Sequence, residues 1–114
     1  MIFVFGSNRE GRHGKGTALE ARKYYGAIYG QAEGLQGRSY AIVTKELRQD
    51  HPKVTLEEVS QGVGRFLEYA RTHPETQFYV TKVGCGLAGF TEDQIVPPFS
   101  GATENVLLPT TWVR

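Results

Sequence analysis

Two glycine-rich stretches hold the residues with the clearest chemistry. The first runs Gly6-Ser7-Asn8-Arg9-Glu10-Gly11-Arg12-His13-Gly14-Lys15-Gly16-Thr17, the second Val83-Gly84-Cys85-Gly86-Leu87-Ala88-Gly89-Phe90. Glycine lets backbone N–H groups turn toward a ligand with no Cβ in the way, and a helix that begins just beyond such a loop adds positive potential. That combination suits phosphate oxygens, and a diphosphate fits between two such loops. The common phosphate signatures do not apply: Gly14-Lys15 is followed by Gly16 rather than Ser or Thr, and Leu19 stands where a dinucleotide fingerprint needs glycine. The competing reading is that these glycines only make tight turns.

Four short stretches read as the strands that would carry these loops: Ile2 to Phe5, Tyr40 to Thr44, Phe78 to Val83 and Val106 to Leu108. The first is apolar without alternation, which implies burial on both faces. The connections are far longer than hairpin loops, so parallel pairing through helical crossovers is expected. Leu56, Val59, Val63, Phe66, Leu67 and Ala70 keep helical spacing, Thr55 and Glu58 form a capping box, and Pro74 marks the end. Gly62 and Gly64 each weaken that helix, so close packing is expected beside them. Thr17 to Tyr25 reads as another helix with Ala18, Ala21 and Tyr25 inward, Gly26 to Arg38 as irregular loop, and Thr91 to Gln94 as a capped turn. Pro97 and Pro98 prevent a long third helix unless one of them opens a new turn. The predicted fold class is α/β: a three-layer α/β/α domain with a mainly parallel sheet of about four core strands. In such sheets ligands bind beyond the carboxyl ends of the strands, where both glycine clusters lie.

Three segments resemble the macro domain family, the ADP-ribose-binding α/β fold, in its small form near the terminal ADP-ribose glutamate hydrolases and ADP-ribose-1″-phosphate phosphatases. They are Asn8 with His13-Gly14-Lys15-Gly16-Thr17-Ala18, the strand Tyr40-Ala41-Ile42-Val43-Thr44-Lys45, and Lys82-Val83-Gly84-Cys85-Gly86-Leu87. The strands that usually precede the family's Asn-bearing strand have no counterpart here. The resemblance implies strand order 4-3-1-2 in the numbering of the four stretches above. It implies a cleft for ADP-ribose or a related NAD-derived nucleotide, with Asn8 near the distal ribose and ligand contacts from Gly14, Gly16, Gly84, Cys85, Gly86, Leu87, Gly89 and Phe90. It also implies a hydrolase route in which Lys45 attacks the ribose and an acid after the Gly-Cys-Gly-Leu run assists. That acid's position holds Ala88. Glu92 or Asp93 would have to supply a carboxylate from another direction, although acids there also suit a helix start.

His13 can bond a phosphate or ribose hydroxyl and, with Lys45, is a catalytic candidate; the alternative is a solvated imidazole. Arg9, Arg12 and Lys15 place positive charge beside the cleft, or serve surface solubility. Cys85 is expected to be a small buried thiol rather than a nucleophile, because no histidine is near it in sequence. Phe90 either stacks on adenine or seals the core, and Trp112 anchors the carboxyl terminus.

Composition bounds these readings. The 114 residues amount to one domain, expected over 1–114, and 13 Lys plus Arg against 12 Asp plus Glu leave a net charge of +1, too little for a bulk field that gathers nucleic acid or membrane. A nucleic-acid-binding domain using Arg9, Arg12, Lys15, Arg22, Lys23 and nearby tyrosines is thus the weakest alternative. A single cysteine and three scattered histidines predict no disulfide and no metal site, and no cofactor is expected. No apolar run reaches the roughly 18 residues of a membrane helix, and residues 1–5 lack a leader pattern, so a cytoplasmic location is expected. Two functions stand foremost. One is a nucleotide-binding enzyme that hydrolyses an ADP-ribosyl linkage or phosphate ester; the other is a non-catalytic reader or sequestering protein for the same class of ligand, which Ala88 favours.

Overall fold

A computed structural model describes residues 1–112. The chain forms β1 (Ile2–Asn8), α1 (Gly16–Tyr24), β2 (Gly34–Gln36), β3 (Ser39–Lys45), α2 (Leu56–Arg71), β4 (Phe78–Val80), α3 (Glu92–Ile95), a 3-10 turn at Pro97–Phe99, β5 (Val106–Leu107) and a second 3-10 turn at Thr110–Trp112. The sheet order is β2-β3-β1-β4-β5, with β1 parallel to both β3 and β4 and β5 parallel to β4. The four expected strands stand in the expected order. The fifth, β2, pairs antiparallel to the outer side of β3 and arises within the stretch read as irregular loop.

Strand β1 is central, and its unbroken apolarity reflects two cores. Val4 faces one side with Ile42, Val59, Val63, Phe66 and Phe78; Phe3 and Phe5 face the other with Ala18, Ala21 and Ala41. Helix α2 covers the first face and α1 the second, which gives the three layers. Small alanines let α1 lie close to the sheet, and Tyr25 just after it stacks on Phe3 with ring centroids 4.3 Å apart. Rings tile the α2 side: Phe66 meets Phe78 edge-on at 5.4 Å, and Phe99 at 6.5 Å links the 3-10 turn to the same cluster.

Helix α2 starts where the capping box requires: Thr55 Oγ1 accepts from the Glu58 N–H at 3.1 Å, and Glu58 Oε1 accepts from the Thr55 N–H at 2.9 Å. Beyond its last turn the Asn105 side-chain amide donates to the carbonyls of Ala70, His73 and Thr76 at 2.9 to 3.0 Å. This amide, sharing its two hydrogens among the three carbonyls, ties the end of α2 to the turns that follow it. Pro97 does open a new turn after α3, and Trp112 is buried with its ring 5.5 Å from Phe99.

Strand β4 ends at Val80, short of the expected Val83. Thr81 donates through both its backbone N–H and its hydroxyl to the Val4 carbonyl, at 3.1 and 2.7 Å, and the Val83 N–H then folds back to the Thr81 carbonyl at 2.7 Å. The ladder stops there, and the chain goes on to Gly84, whose nitrogen would lie 3.3 Å from a Cβ on Gly6 of β1.

The two helical glycines differ. A Cβ on Gly62 would lie 3.3 Å from Ile42 Cγ2, so helix and sheet meet closely there, whereas one on Gly64 would meet nothing within 4 Å. The expected close packing therefore holds at Gly62 and not at Gly64. Gly64→Ala should raise unfolding stability by about 1 kcal/mol in urea denaturation, and Gly62→Ala by less, because its methyl must displace the Ile42 side chain.

Candidate functional site

At the carboxyl ends of β1, β3 and β4 the backbone itself is shaped. Register shifts between Ser7 and Asn8, where Ser7 pairs with Val43 but Asn8 with Lys45. Thr44 is the extra residue of this bulge, and its hydroxyl donates to the Ser7 carbonyl at 3.1 Å. A Cβ on Gly6 would lie 3.1 Å from Thr44 Oγ1 and 3.3 Å from the Gly84 nitrogen, so glycine there lets the chain after β4 close down on β1.

The result is a cavity of about 610 Å³ walled on one side by Gly14 to Ala18 and on the other by Gly84 and Gly86 to Ala88. The two glycine clusters, nearly seventy residues apart, thus face each other. Of the residues named from sequence, Asn8, Gly14, Gly16, Lys45, Gly84, Gly86 and Leu87 line this cavity. Gly89 and Phe90 line an adjoining hollow of about 540 Å³, which shares Thr44, Lys45, Leu87 and Ala88 with the first. Cys85 lines neither; its thiol lies 3.6 Å from the Val83 carbonyl, and burial, then the Glu92 charge, push its pKa up, as suits an inert thiol.

His13 lies beneath its loop. It is fully buried, edge-on to Phe5 at 5.2 Å, with Nε2 3.4 Å from Ser7 Oγ and, among the described residues, no hydrogen-bond partner for Nδ1. Burial, and secondly the charge of Arg22, hold its pKa below the ordinary value. Asn8 braces the same loop: its side-chain amide donates to the Arg12 carbonyl at 2.7 Å and accepts from the Arg12 N–H at 2.8 Å.

Charge is sorted around the cavity. Arg9 points away, held bidentately by Glu58, by Glu46 at 3.1 Å and by the Pro52 carbonyl at 2.6 Å. Glu46, its side chain only 1% exposed, also receives Arg48, and these donors, Arg48 first, hold its carboxyl far below the usual range. Glu92 accepts from Trp112 Nε1 at 2.9 Å and pairs with Lys82 at 3.0 Å; the tryptophan bond first, then the lysine, lower its pKa. Four basic residues, Arg12, Lys15, Lys45 and Lys82, line the main cavity, and among the described residues no Asp or Glu does. Lys15 and Lys45 form no ion pair among those residues.

The backbone adds its own donors. Lys15 stands at the N-cap of α1 with no side-chain cap, and the first turn holds no acid, so this helix start is open where the cavity begins. Across the cavity, among the described residues, the N–H groups of Gly86, Leu87 and Ala88 reach no backbone carbonyl. Sequence reading missed Tyr29, Leu47 and Lys82 in the lining. Lys82 had a signal in its place beside the second glycine cluster; Tyr29 and Leu47 had none, because loop geometry brings them in.

No protein-family model matches the chain, and no curated protein does. Solved structures share its fold. The macrodomain of Thermus aquaticus DarG is 18% identical, with a TM-score of 0.59 over 94% of this chain and 85% of that one. A protein of unknown function from Bacteroides thetaiotaomicron is also 18% identical, with a TM-score of 0.60 over 94% and 86%. Thermosipho africanus DarTG, solved in complex with ADP-ribose, is 14% identical, with a TM-score of 0.61 over 97% of this chain but 39% of that longer one. The chain has a macro domain-like fold.

The buried imidazole predicts a pH dependence. With its pKa lowered in the folded state, His13 takes up a proton more readily when unfolded. Its contribution is therefore complete above the ordinary value of 6.5 and declines as pH falls below it toward the folded pKa. Urea denaturation at pH 7.5 and pH 5 should show stability falling on the acid side, and His13→Gln should reduce that difference.

Proposed function

We propose that the cavity binds ADP-ribose or a related NAD-derived nucleotide, with the diphosphate between the start of α1 and the turn at Gly84 to Ala88. One observation carries this reading: an open helix N-terminus and a second glycine turn face each other across a cavity lined by four cations and, among the described residues, no carboxylate. Helix starts and free backbone amides favour anions, and flanking lysines strengthen the field. The likeness to the DarG macrodomain, and to DarTG solved in complex with ADP-ribose, agrees with this chemistry.

Between the two foremost functions, the arrangement favours a reader or sequestering protein over a hydrolase. Hydrolysis needs a group that moves protons at the reacting centre. Ala88 occupies the position of the family's acid, Glu46 is locked by two arginines, Glu92 is engaged by Lys82 and Trp112, and His13 lies outside the cavity. Lys45 remains at the junction of cavity and hollow as an anion contact.

Calorimetric titration with ADP-ribose tests the reading. A Cβ on Gly86 meets nothing within 4 Å, so Gly86→Glu should fold normally while placing a carboxylate in the diphosphate's path. Binding should weaken more than tenfold, and ligand recovered from the wild-type mixture should be intact. Equal affinity in wild type and variant would overturn the assignment, and turnover of an ADP-ribosyl or ADP-ribose-1″-phosphate substrate would restore the hydrolase reading.

A further inference from the structure

His13 is buried without the bonds that ordinarily accompany burial of a polar ring. Among the described residues its Nδ1 has no partner, and its Nε2 has only the Ser7 hydroxyl at 3.4 Å. The ring is set edge-on against Phe5 of β1, and the loop that carries it runs directly above. Its place is therefore explained by what it holds rather than by what it bonds.

That loop walls the cavity through Arg12, Gly14, Lys15 and Gly16. Its first half is tied down by the backbone: Asn8 holds both main-chain groups of Arg12, the Gly11 N–H donates to the Asn8 carbonyl at 2.9 Å, and the Gly11 carbonyl accepts from the Gly30 N–H at 2.8 Å. Gly30 belongs to the turn that carries Tyr29, and the buried Gln36 side chain grips both ends of this turn. Its Oε1 accepts from the Ile28 N–H at 2.7 Å, and its Nε2 donates to the Gln31 carbonyl at 3.2 Å. The second half of the loop is held differently. Among the described residues no backbone group of His13 or Gly14 reaches another backbone group, and the next bond is the Lys15 carbonyl accepting from the Leu19 N–H at 3.2 Å. Between Arg12 and Thr17 the one buried side chain is His13, so a single imidazole anchors this stretch of the wall to the core.

We infer that His13 is a positioning residue for the nucleotide site and works only as the neutral ring, so that acid frees the wall it anchors and weakens binding. This rests on the proposed nucleotide-binding function and adds how that site is controlled. A protonated ring would carry its charge into a pocket faced by Phe5, with Arg22 of α1 acting on it as a like charge. Strand β1 offers only Phe5 and Ser7. On its own loop Arg12 and Lys15 are exposed, and Glu10 is engaged by Arg12 at 3.5 Å and Arg48 at 4.0 Å. The Gln31 carbonyl favours protonation but counts for less than burial and Arg22, and no Asp or Glu among the described residues shifts the ring's titration. An imidazole released to water regains a pKa near 6.5, so moving from pH 7.5 to pH 5 raises the weight of the released form about thirtyfold. Release carries Gly14 and Lys15 out of place, which removes a cation and disturbs the approach to the start of α1.

Calorimetric titration of ADP-ribose into wild type and His13→Gln at pH 7.5 and pH 5 tests this, with circular dichroism showing that each protein is folded at both. Wild type should bind about fivefold or more weakly at pH 5, and titrations in buffers of different ionisation enthalpy should show proton release on binding there. His13→Gln cannot titrate at this position, so its affinity should agree within about twofold at the two pH values, without proton release. In wild type alone, the His13 ring-proton resonances should titrate at lower pH with ligand bound than without it. His51 and His73 titrate in the same range, and both remain in the variant. An equal midpoint for His13 with and without ligand, a wild-type affinity that does not change with pH, or the same pH dependence in His13→Gln would overturn the role of His13 while leaving the cleft intact. Absence of ADP-ribose binding by wild type at pH 7.5 would overturn the nucleotide reading itself, and the role of His13 with it.

Discussion

The site depends on parallel pairing of β1 between β3 and β4. Parallel strands end together, so three carboxyl ends meet at one rim with their following loops above it. At that rim the Ser7/Asn8 register shift places Thr44 against Ser7, and the lack of a side chain at Gly6 leaves room for the Gly84 amide. A bulkier residue at position 6 would press on both neighbours at once. The cavity is thus a property of the sheet's central strand before it is a property of any loop.

Electrostatic sorting follows from that geometry. Arg9 and Lys45 come from adjacent strand ends, and the Arg9 N–H donates to the Lys45 carbonyl at 3.0 Å, yet their side chains have different tasks. Arg9 binds Glu46, Glu58 and the Pro52 carbonyl, tying the segment after β3 to the start of α2. Glu46 is in turn matched by Arg48, so an acid that neighbours Lys45 in sequence contributes little field to the cavity. Near-neutral chains can hold strongly cationic pockets in this way, by pairing acids with arginines elsewhere.

Much of the architecture was legible in residue patterns because those patterns report burial. Continuous apolarity marked β1 as buried on both faces, and Thr55 with Glu58 marked the start of α2. Three features were not legible. Strand β2 is three residues long, and its buried member is the polar Gln36, so no hydrophobic alternation signals it. Strand β4 ends early because the Val83 N–H folds back to the Thr81 carbonyl, a turn that the apolar spacing of the segment does not reveal. The site was readable as two facing backbone loops, since glycine spacing records backbone demands. Side-chain direction was not: Arg9 and Arg12 look equivalent in sequence, yet only Arg12 lines the cavity, and His13 lies under a loop whose polar character suggested water.

The margins of the sheet carry a consequence for the behaviour of the protein at high concentration. One border is the three-residue β2 and the other the two-residue β5. The Gln31 side-chain amide donates to the Leu35 carbonyl at 3.1 Å, occupying an acceptor on the outermost strand. Long open borders invite another chain to add its own strand and seed fibrils, whereas short ones with an occupied acceptor offer too few free amides and carbonyls in a row for such templating. The same short β2 whose Gln36 holds the Tyr29 turn therefore also guards the molecule against edge-to-edge growth.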